Sequence, residues 1–276
     1  MSFVEQRIEM EEMSIACYRG GRGFPLLLIH GSGPGASSTG YWRAVLEPMA
    51  KHFEIWAMDL IGFGSSSRKP RPPYFDVDLW MRQIGRVIEQ IGAPALGIVG
   101  HSISASFALR MAAADRRVRA VVTTGAMGRS FVANDATRAV WTPPRDRSEL
   151  RRTLQGTVFN KELISESYLD AREPVVFDPG FVEHFGSMFH GDKQRYIDAV
   201  VLGDETLKAV HCPVLLIHGR DDVPFPMSVS VELSERLADA DLMILSRCAH
   251  SIAIERSETL VRAVESFFSE HAGNPE

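Results

Sequence analysis

The pentapeptide Gly100-His101-Ser102-Ile103-Ser104 constrains this chain more than any other segment. It joins an apolar run, Ala95 to Val99, to a helical stretch, Ile103 to Ala114, and so puts a serine at a sharp strand-to-helix turn. A serine on such an elbow is lifted above the sheet edge, clear of its own backbone. The helix behind it offers unpaired N–H groups and the positive end of its dipole, which suit a developing oxyanion. Ser104 stands where the usual Gly-x-Ser-x-Gly pattern has its last glycine, so the case rests on partners further along the chain.

Other apolar runs repeat the strand signal: Pro25 to Ile29, Phe53 to Leu60, Arg119 to Ala126, Pro213 to Ile217 and Asp241 to Leu245. Each reads as a strand buried on both faces, and residues 7–19 alternate as an opening β-ribbon. Helical patterns include Leu79 to Ile91, Ser228 to Ala238 and Glu258 to Phe268. The alternation predicts an α/β chain: a mostly parallel central sheet with helices on both faces. Between about Met127 and Glu205 the strand runs stop, and short helical patterns surround Trp141-Thr142-Pro143-Pro144. This predicts a core of residues 1–127 and 206–276, with 128–205 inserted as a helical cap over the carboxyl ends of the strands, where such sheets bind ligands. The insertion's aromatics (Phe131, Trp141, Phe159, Phe177, Phe181, Phe185, Phe189) suit either an apolar pocket or the cap's own core.

Composition narrows the function classes. A chain of 276 residues, 45% hydrophobic, can bury a large core, and its net charge of −5 gives no reason to expect nucleic acid. Arg116, Arg117 and Arg119, and then Arg145, Arg147, Arg151 and Arg152, are interleaved with Asp115, Asp146 and Glu149, as on solvated helix faces. Three widely spaced cysteines, Cys17, Cys212 and Cys248, suggest neither a disulfide framework nor a zinc ribbon. The opening residues Met1 to Arg7 lack the apolar stretch of a secretory signal, and no apolar run is long enough to span a bilayer. The expectation is a cytoplasmic protein with reduced thiols, a small-molecule substrate, and no nucleic-acid or membrane partner. No metal or cofactor is expected either, and a homo-oligomer is compatible with the chain.

A serine hydroxyl becomes a nucleophile when a base takes its proton and a third group orients that base. His250 follows the last strand run, in Ser246-Arg247-Cys248-Ala249-His250, and is the expected base. The loop after Pro213 to Ile217, His218-Gly219-Arg220-Asp221-Asp222, offers two adjacent aspartates. Neighbouring side chains at a strand end point oppositely, so only one of the two can face the histidine. The oxyanion needs two N–H donors, one from Ile103 and one from the turn His30-Gly31-Ser32-Gly33-Pro34-Gly35, where Ser32 is the expected donor and His30 braces the bend. The histidines His52, His184, His190, His211, His218 and His271 lack motif context and read as structural or solvated.

With these segments in place, the chain resembles the α/β-hydrolase superfamily over nearly its whole length, and within it the meta-cleavage product hydrolases of aromatic degradation. The resemblance rests on Leu28-Ile29-His30-Gly31-Ser32-Gly33-Pro34-Gly35, on Asp59-Leu60-Ile61-Gly62-Phe63-Gly64, on Gly219-Arg220-Asp221-Asp222 with Pro226, and on Cys248-Ala249-His250. It implies a Ser102–His250–Asp222 triad, selecting Asp222 over Asp221. It also implies hydrolysis of a carbon–carbon bond in a vinylogous 1,5-diketone. The dienol first becomes a ketone, Ser102 attacks its carbonyl, and a hydroxydienoate leaves. A cap arginine that holds the substrate's acidic end falls at Arg172, in Tyr168-Leu169-Asp170-Ala171-Arg172. Gly31, Gly33, Tyr41, His101 and Ser251 complete the expected substrate contacts.

The pattern is altered at three of these positions. His101 stands where the family often has asparagine, Tyr41 where it has another asparagine, and Ser251 where it has tryptophan. Ser104 and Ala105 also replace two glycines behind the elbow. The polar subsite is therefore rebuilt, which keeps a carboxylesterase or lactonase in play beside the carbon–carbon hydrolase. A hydrolase-fold ligand-binding protein and a cofactor-free oxygenase with His250 as base are the remaining alternatives.

Overall fold

The computed structural model describes residues 3–271. Its strands are β1 (Val4–Met10), β2 (Met13–Gly21), β3 (Phe24–Ile29), β4 (Phe53–Met58), β5 (Leu96–His101), β6 (Val118–Thr124), β7 (Val214–Gly219) and β8 (Ala240–Leu245). They form one sheet in the order β1-β2-β4-β3-β5-β6-β7-β8. The hairpin β1–β2 and the β2–β4 pair are antiparallel, and every pair from β4 across to β8 is parallel. The apolar runs explain this centre: β3, β5 and β7 are buried along almost every residue, because helices cover both faces.

Two strands depart from the reading of the sequence. The apolar run from Phe53 leaves the sheet at Met58, because Asp59 turns inward to accept hydrogen bonds from Ser38 N (2.7 Å) and Ser65 N (2.8 Å). The run from Asp241 is not buried on both faces. β8 is the sheet edge, mostly half-exposed, with Ile244 37% accessible. Apolar content alone does not separate an edge strand from a central one.

The helix Val77–Ile91 is set by its ends: Asp76 accepts from Leu79 N, and Gly92 closes it at φ 68°. Its apolar stripe, including Leu79, Ile84, Val87 and Ile88, packs into the layer beneath β1 and β5. The helix Ser257–His271 buries Leu260, Val264 and Phe268 on the opposite face.

Between β6 and β7 the described elements are all helical: Asp135–Val140, Arg147–Gly156, a single 3₁₀ turn, Glu166–Val176, Pro179–Met188, Gln194–Asp198 and Asp204–Ala209. Four of these short helices start on a side-chain cap from Asn134, Asp146, Ser165 or Asp178, each accepting a backbone N–H of the first turn. Arg147 ties two of them together through Glu166, Asp170 and Glu173 at 2.6–2.8 Å. The expected boundary at residue 205 falls inside the helix Asp204–Ala209, which packs on the core helix Ile103–Ala114. Phe181, Phe185 and Phe189 are buried in series, with Phe189 stacked on Trp141 and Phe185 meeting Phe63, so they bind the insertion to the main core.

Candidate active site

Ser102 sits between β5 and the helix Ile103–Ala114 with φ 58° and ψ −122°, a left-handed conformation that an L-residue holds only under constraint. The constraint comes from the end of β6: Ser102 N donates to Thr124 O at 2.9 Å, and Met127 N donates back to Ser102 O at 3.1 Å. Ser104, at the substituted glycine position, donates its hydroxyl to His30 O at 2.5 Å, fastening the elbow to the turn after β3. His30 accepts from Leu60 N at 3.1 Å and so braces that turn.

His250 Nε2 lies 3.0 Å from Ser102 Oγ, and its Nδ1 lies 2.7 Å from Asp222 Oδ2. Asp222, not Asp221, faces the histidine; Asp221 reaches only Cys248 N, at 3.4 Å. The Phe225 ring packs against the imidazole, centroids 4.4 Å apart. Backbone also crowds the ring, since a Cβ on Gly125 (φ 55°) would stand 2.8 Å from His250 Nδ1. Burial works against the charge on Asp222. The attraction of His250 and the hydrogen bonds from His218 and His250 outweigh it and hold the carboxyl below its ordinary value. Since Asp222 stays ionised, it fixes the His250 tautomer with the proton on Nδ1 and a free lone pair facing Ser102.

Ile103 opens its helix, so its N–H has no acceptor within it. Ser32 N makes no hydrogen bond among the described residues. Both N–H groups belong to residues flanking Ser102, and Gly31 permits the approach: a Cβ there would lie 3.0 Å from Ser102 Cβ. The Ser32 hydroxyl accepts from Trp141 Nε1 at 2.9 Å, a tether from the insertion onto this loop.

Gly31, Ser32, Gly33, Tyr41, His101, Ser102, Arg172, His250 and Ser251 all line one cavity. Asp222 lies behind His250, and Ile103 lies behind the elbow. The Tyr41 ring stacks on His101, centroids 3.9 Å apart, with its hydroxyl 2.9 Å from His101 Nδ1. That nitrogen also lies 3.0 Å from Thr124 O, which only accepts, so Nδ1 carries the proton. Burial, and then the nearby His250, hold His101 well below the usual histidine range, so it is neutral. Ser251 Oγ bonds Thr157 Oγ1 at 3.1 Å, joining the histidine loop to the insertion.

Arg172 stands on the cavity wall, with Nη1 donating to Pro34 O (3.1 Å) and Gly35 O (2.7 Å) and Nη2 to Tyr168 OH (3.0 Å). Its Nε–H and one Nη2–H have no acceptor among the described residues. None of the seven aromatics named from the sequence lines the cavity; the insertion contributes Val140, Thr153, Leu154, Thr157, Tyr168 and Arg172 instead.

The sequence reading missed two partners. His218, grouped with the unassigned histidines, is fully buried beside Asp222, 3.2 Å from its Oδ2. A polar residue inside the apolar run Val214 to Gly219 was the available signal. The hydrogen bond from Trp141 to Ser32 had none, because the two are 109 residues apart.

A serine elbow, an aspartate and a histidine in this chain order, at the carboxyl ends of a mostly parallel sheet, define a serine hydrolase site. The chain belongs to the α/β-hydrolase family, whose model matches residues 25–257. It is 31% identical over 253 residues to the 2-hydroxy-6-oxo-2,4-heptadienoate hydrolase of Pseudomonas putida, covering 90% of each chain. It is 33% identical to the 2-hydroxymuconate semialdehyde hydrolase of a Pseudomonas species, covering 91% of this chain and 88% of that one. The structure superposes on a meta-cleavage product hydrolase from Pseudomonas fluorescens, a serine-to-alanine variant complexed with acetates. The TM-score is 0.91 at 32% identity, covering 96% of this chain and 97% of that one. The resemblance drawn from local motifs therefore extends over 90% or more of the chain.

Proposed function

We propose that this protein hydrolyses a carbon–carbon bond in a ring-cleavage dienoate, a vinylogous 1,5-diketone carrying an acidic group. The line of contacts Ser102–His250–Asp222, on a chain this similar to hydrolases of such compounds, carries the reading. Once the substrate is in its keto form, His250 Nε2 takes the Ser102 proton as Oγ attacks the ketone carbon. The Ser32 and Ile103 N–H groups hold the oxyanion. The oxyanion collapses, the carbon–carbon bond breaks, and its electron pair is delocalised into the conjugated acid fragment, which leaves as a hydroxydienoate after taking a proton from His250. Water, activated by His250, then hydrolyses the Ser102 ester to a carboxylic acid. One water is consumed and no redox partner is needed.

In this reading residues 128–205 act as the cap. Arg172 meets the substrate's acidic end with its two remaining N–H groups, and Tyr41, His101 and Ser251 form the rebuilt polar subsite. The small-molecule substrate is the partner the reaction requires, and the protein works in the cytoplasm. No helix among the described residues is long and apolar enough to cross a membrane.

The test is product analysis by mass spectrometry after incubation with a dienoate in ¹⁸O-labelled water. The reading expects a hydroxydienoate and a carboxylic acid labelled from solvent, both lost in Ser102→Ala. Cleavage of esters with dienoates left intact would move the protein to the carboxylesterases.

A further inference from the structure

His218 lies at the end of β7, four residues before the triad acid, and is completely buried. Its Nε2 is 3.0 Å from Phe225 O and 3.2 Å from Asp222 Oδ2. A carbonyl and an ionised carboxylate both only accept, so Nε2 must carry a hydrogen, and that hydrogen points between them. Its Nδ1 is 2.7 Å from Ser230 Oγ, on the helix Ser228–Arg236, so the ring is pinned at both nitrogens. Phe225 in turn donates its own N–H to Asp222 Oδ1 at 3.0 Å. His218 thus touches the triad acid twice, directly at Oδ2 and through the turn that supplies the donor at Oδ1.

We propose that His218 is a positioning residue of the reaction: its Nε2–H fixes the Asp222 carboxylate and tempers the pull of that carboxylate on His250. The proposal rests on the triad reading above, and it extends the hydrogen-bonded line to Ser230–His218–Asp222–His250–Ser102. Without the Nε2–H, one donor to the carboxylate is lost. The carboxylate then holds the His250 proton more tightly and favours the imidazolium. The acid limb of the reaction should therefore move to higher pH.

Few other groups can produce such a shift. Asp222 is the charged group facing His218 on its own loop. From the loop after β8 come His250 and the Cys248 thiol, which burial pushes up to about 12 and so keeps protonated. From β5 comes His101, held neutral by burial and by His250. The helix Ser228–Arg236 presents the Ser230 hydroxyl.

The experiment follows the rate at which a fluorophosphonate probe labels Ser102 as a function of pH, a readout independent of which bond the protein cleaves. His218→Phe keeps the ring volume and removes the donor. It should slow the maximal rate by about 10-fold and raise the acid-limb midpoint by about half a pH unit. His218→Gln keeps an N–H at the same reach and should stay close to the parent in both. An unmoved midpoint in His218→Phe, or an equal shift in His218→Gln, overturns the proposal. Should His218→Phe fail to fold, Ser230→Ala takes its place, with a smaller upward shift expected and an unmoved midpoint again contrary. A parent labelled at Ser102 yet inert toward dienoates would sink the carbon–carbon reading and leave this proposal standing. A parent that is not labelled would overturn both.

Discussion

Asp222→Asn puts the account of the triad under the greatest load, because its cost can be worked from the surrounding donors. Asp222 Oδ2 lies 2.7 Å from His250 Nδ1 and 3.2 Å from His218 Nε2, while Oδ1 accepts from Phe225 N at 3.0 Å. An amide must place its NH₂ at one of these positions, and both face donors. With the NH₂ toward His250, the imidazole proton moves to Nε2, and the lone pair that should take the Ser102 proton is gone. With the NH₂ toward Phe225, the tautomer survives, but an N–H is left unsatisfied at a cost of about 1–3 kcal/mol. The imidazolium then also loses its counter-charge, worth about 4 kcal/mol at 4 Å and an effective dielectric near 20. The unsatisfied N–H burdens ground and transition states alike and falls on stability, whereas the lost counter-charge falls on the barrier and lowers kcat by about 10³-fold. Asp221→Asn touches only the long contact to Cys248 N and should cost less than about 10-fold. Stopped-flow absorbance with a dienoate measures both variants. Comparable losses in the two, or an Asp222→Asn variant within about 10-fold of the parent, would refute the reasoning.

Four further outcomes follow from the same geometry. Ser102→Gly should be more stable than Ser102→Ala by about 1 kcal/mol, seen as a higher Tm, because the residue sits at φ 58°; equal Tm values would deny strain at the elbow. Trp141→Phe removes the N–H that holds the Ser32 hydroxyl and should lower kcat by about 5-fold, while adding little to the loss in Ser32→Ala; additive losses would separate the two residues. Arg172→Ala should raise KM for acidic substrates far more than for neutral nitrophenyl esters, and equal losses on both would remove its proposed role. Urea midpoints should fall as pH drops below about 6.5, because the unfolded chain takes up protons that buried His101 refuses. His101→Asn should flatten that fall by up to about 1.4 kcal/mol per pH unit, and parallel curves for parent and variant would contradict it.

The parts of the site that were legible in the sequence are those a short segment determines by itself. The elbow needs only a strand, a serine and a helix in succession. The turn after β3 announces itself by its glycines, and His250 by following the last apolar run. What stayed hidden depends on how distant segments fold together. His218 gains its meaning only when the loop after β7 curls back against the helix Ser228–Arg236. Trp141 reaches Ser32 only once the insertion settles on the strand ends. The aromatics of the insertion could not be divided between pocket and core by spacing, and the structure commits Phe181, Phe185 and Phe189 to the core. The edge position of β8 was equally invisible, since its composition matches that of strands with two neighbours.

The central claim is serine-dependent carbon–carbon hydrolysis, and the absorbance decay of a panel of ring-cleavage dienoates tests it most directly. The parent protein and Ser102→Ala are compared, with a nitrophenyl ester alongside. The account predicts rapid loss of at least one dienoate by the parent and none by Ser102→Ala. Ester turnover with every dienoate untouched, or dienoate loss that persists in Ser102→Ala, would contradict it.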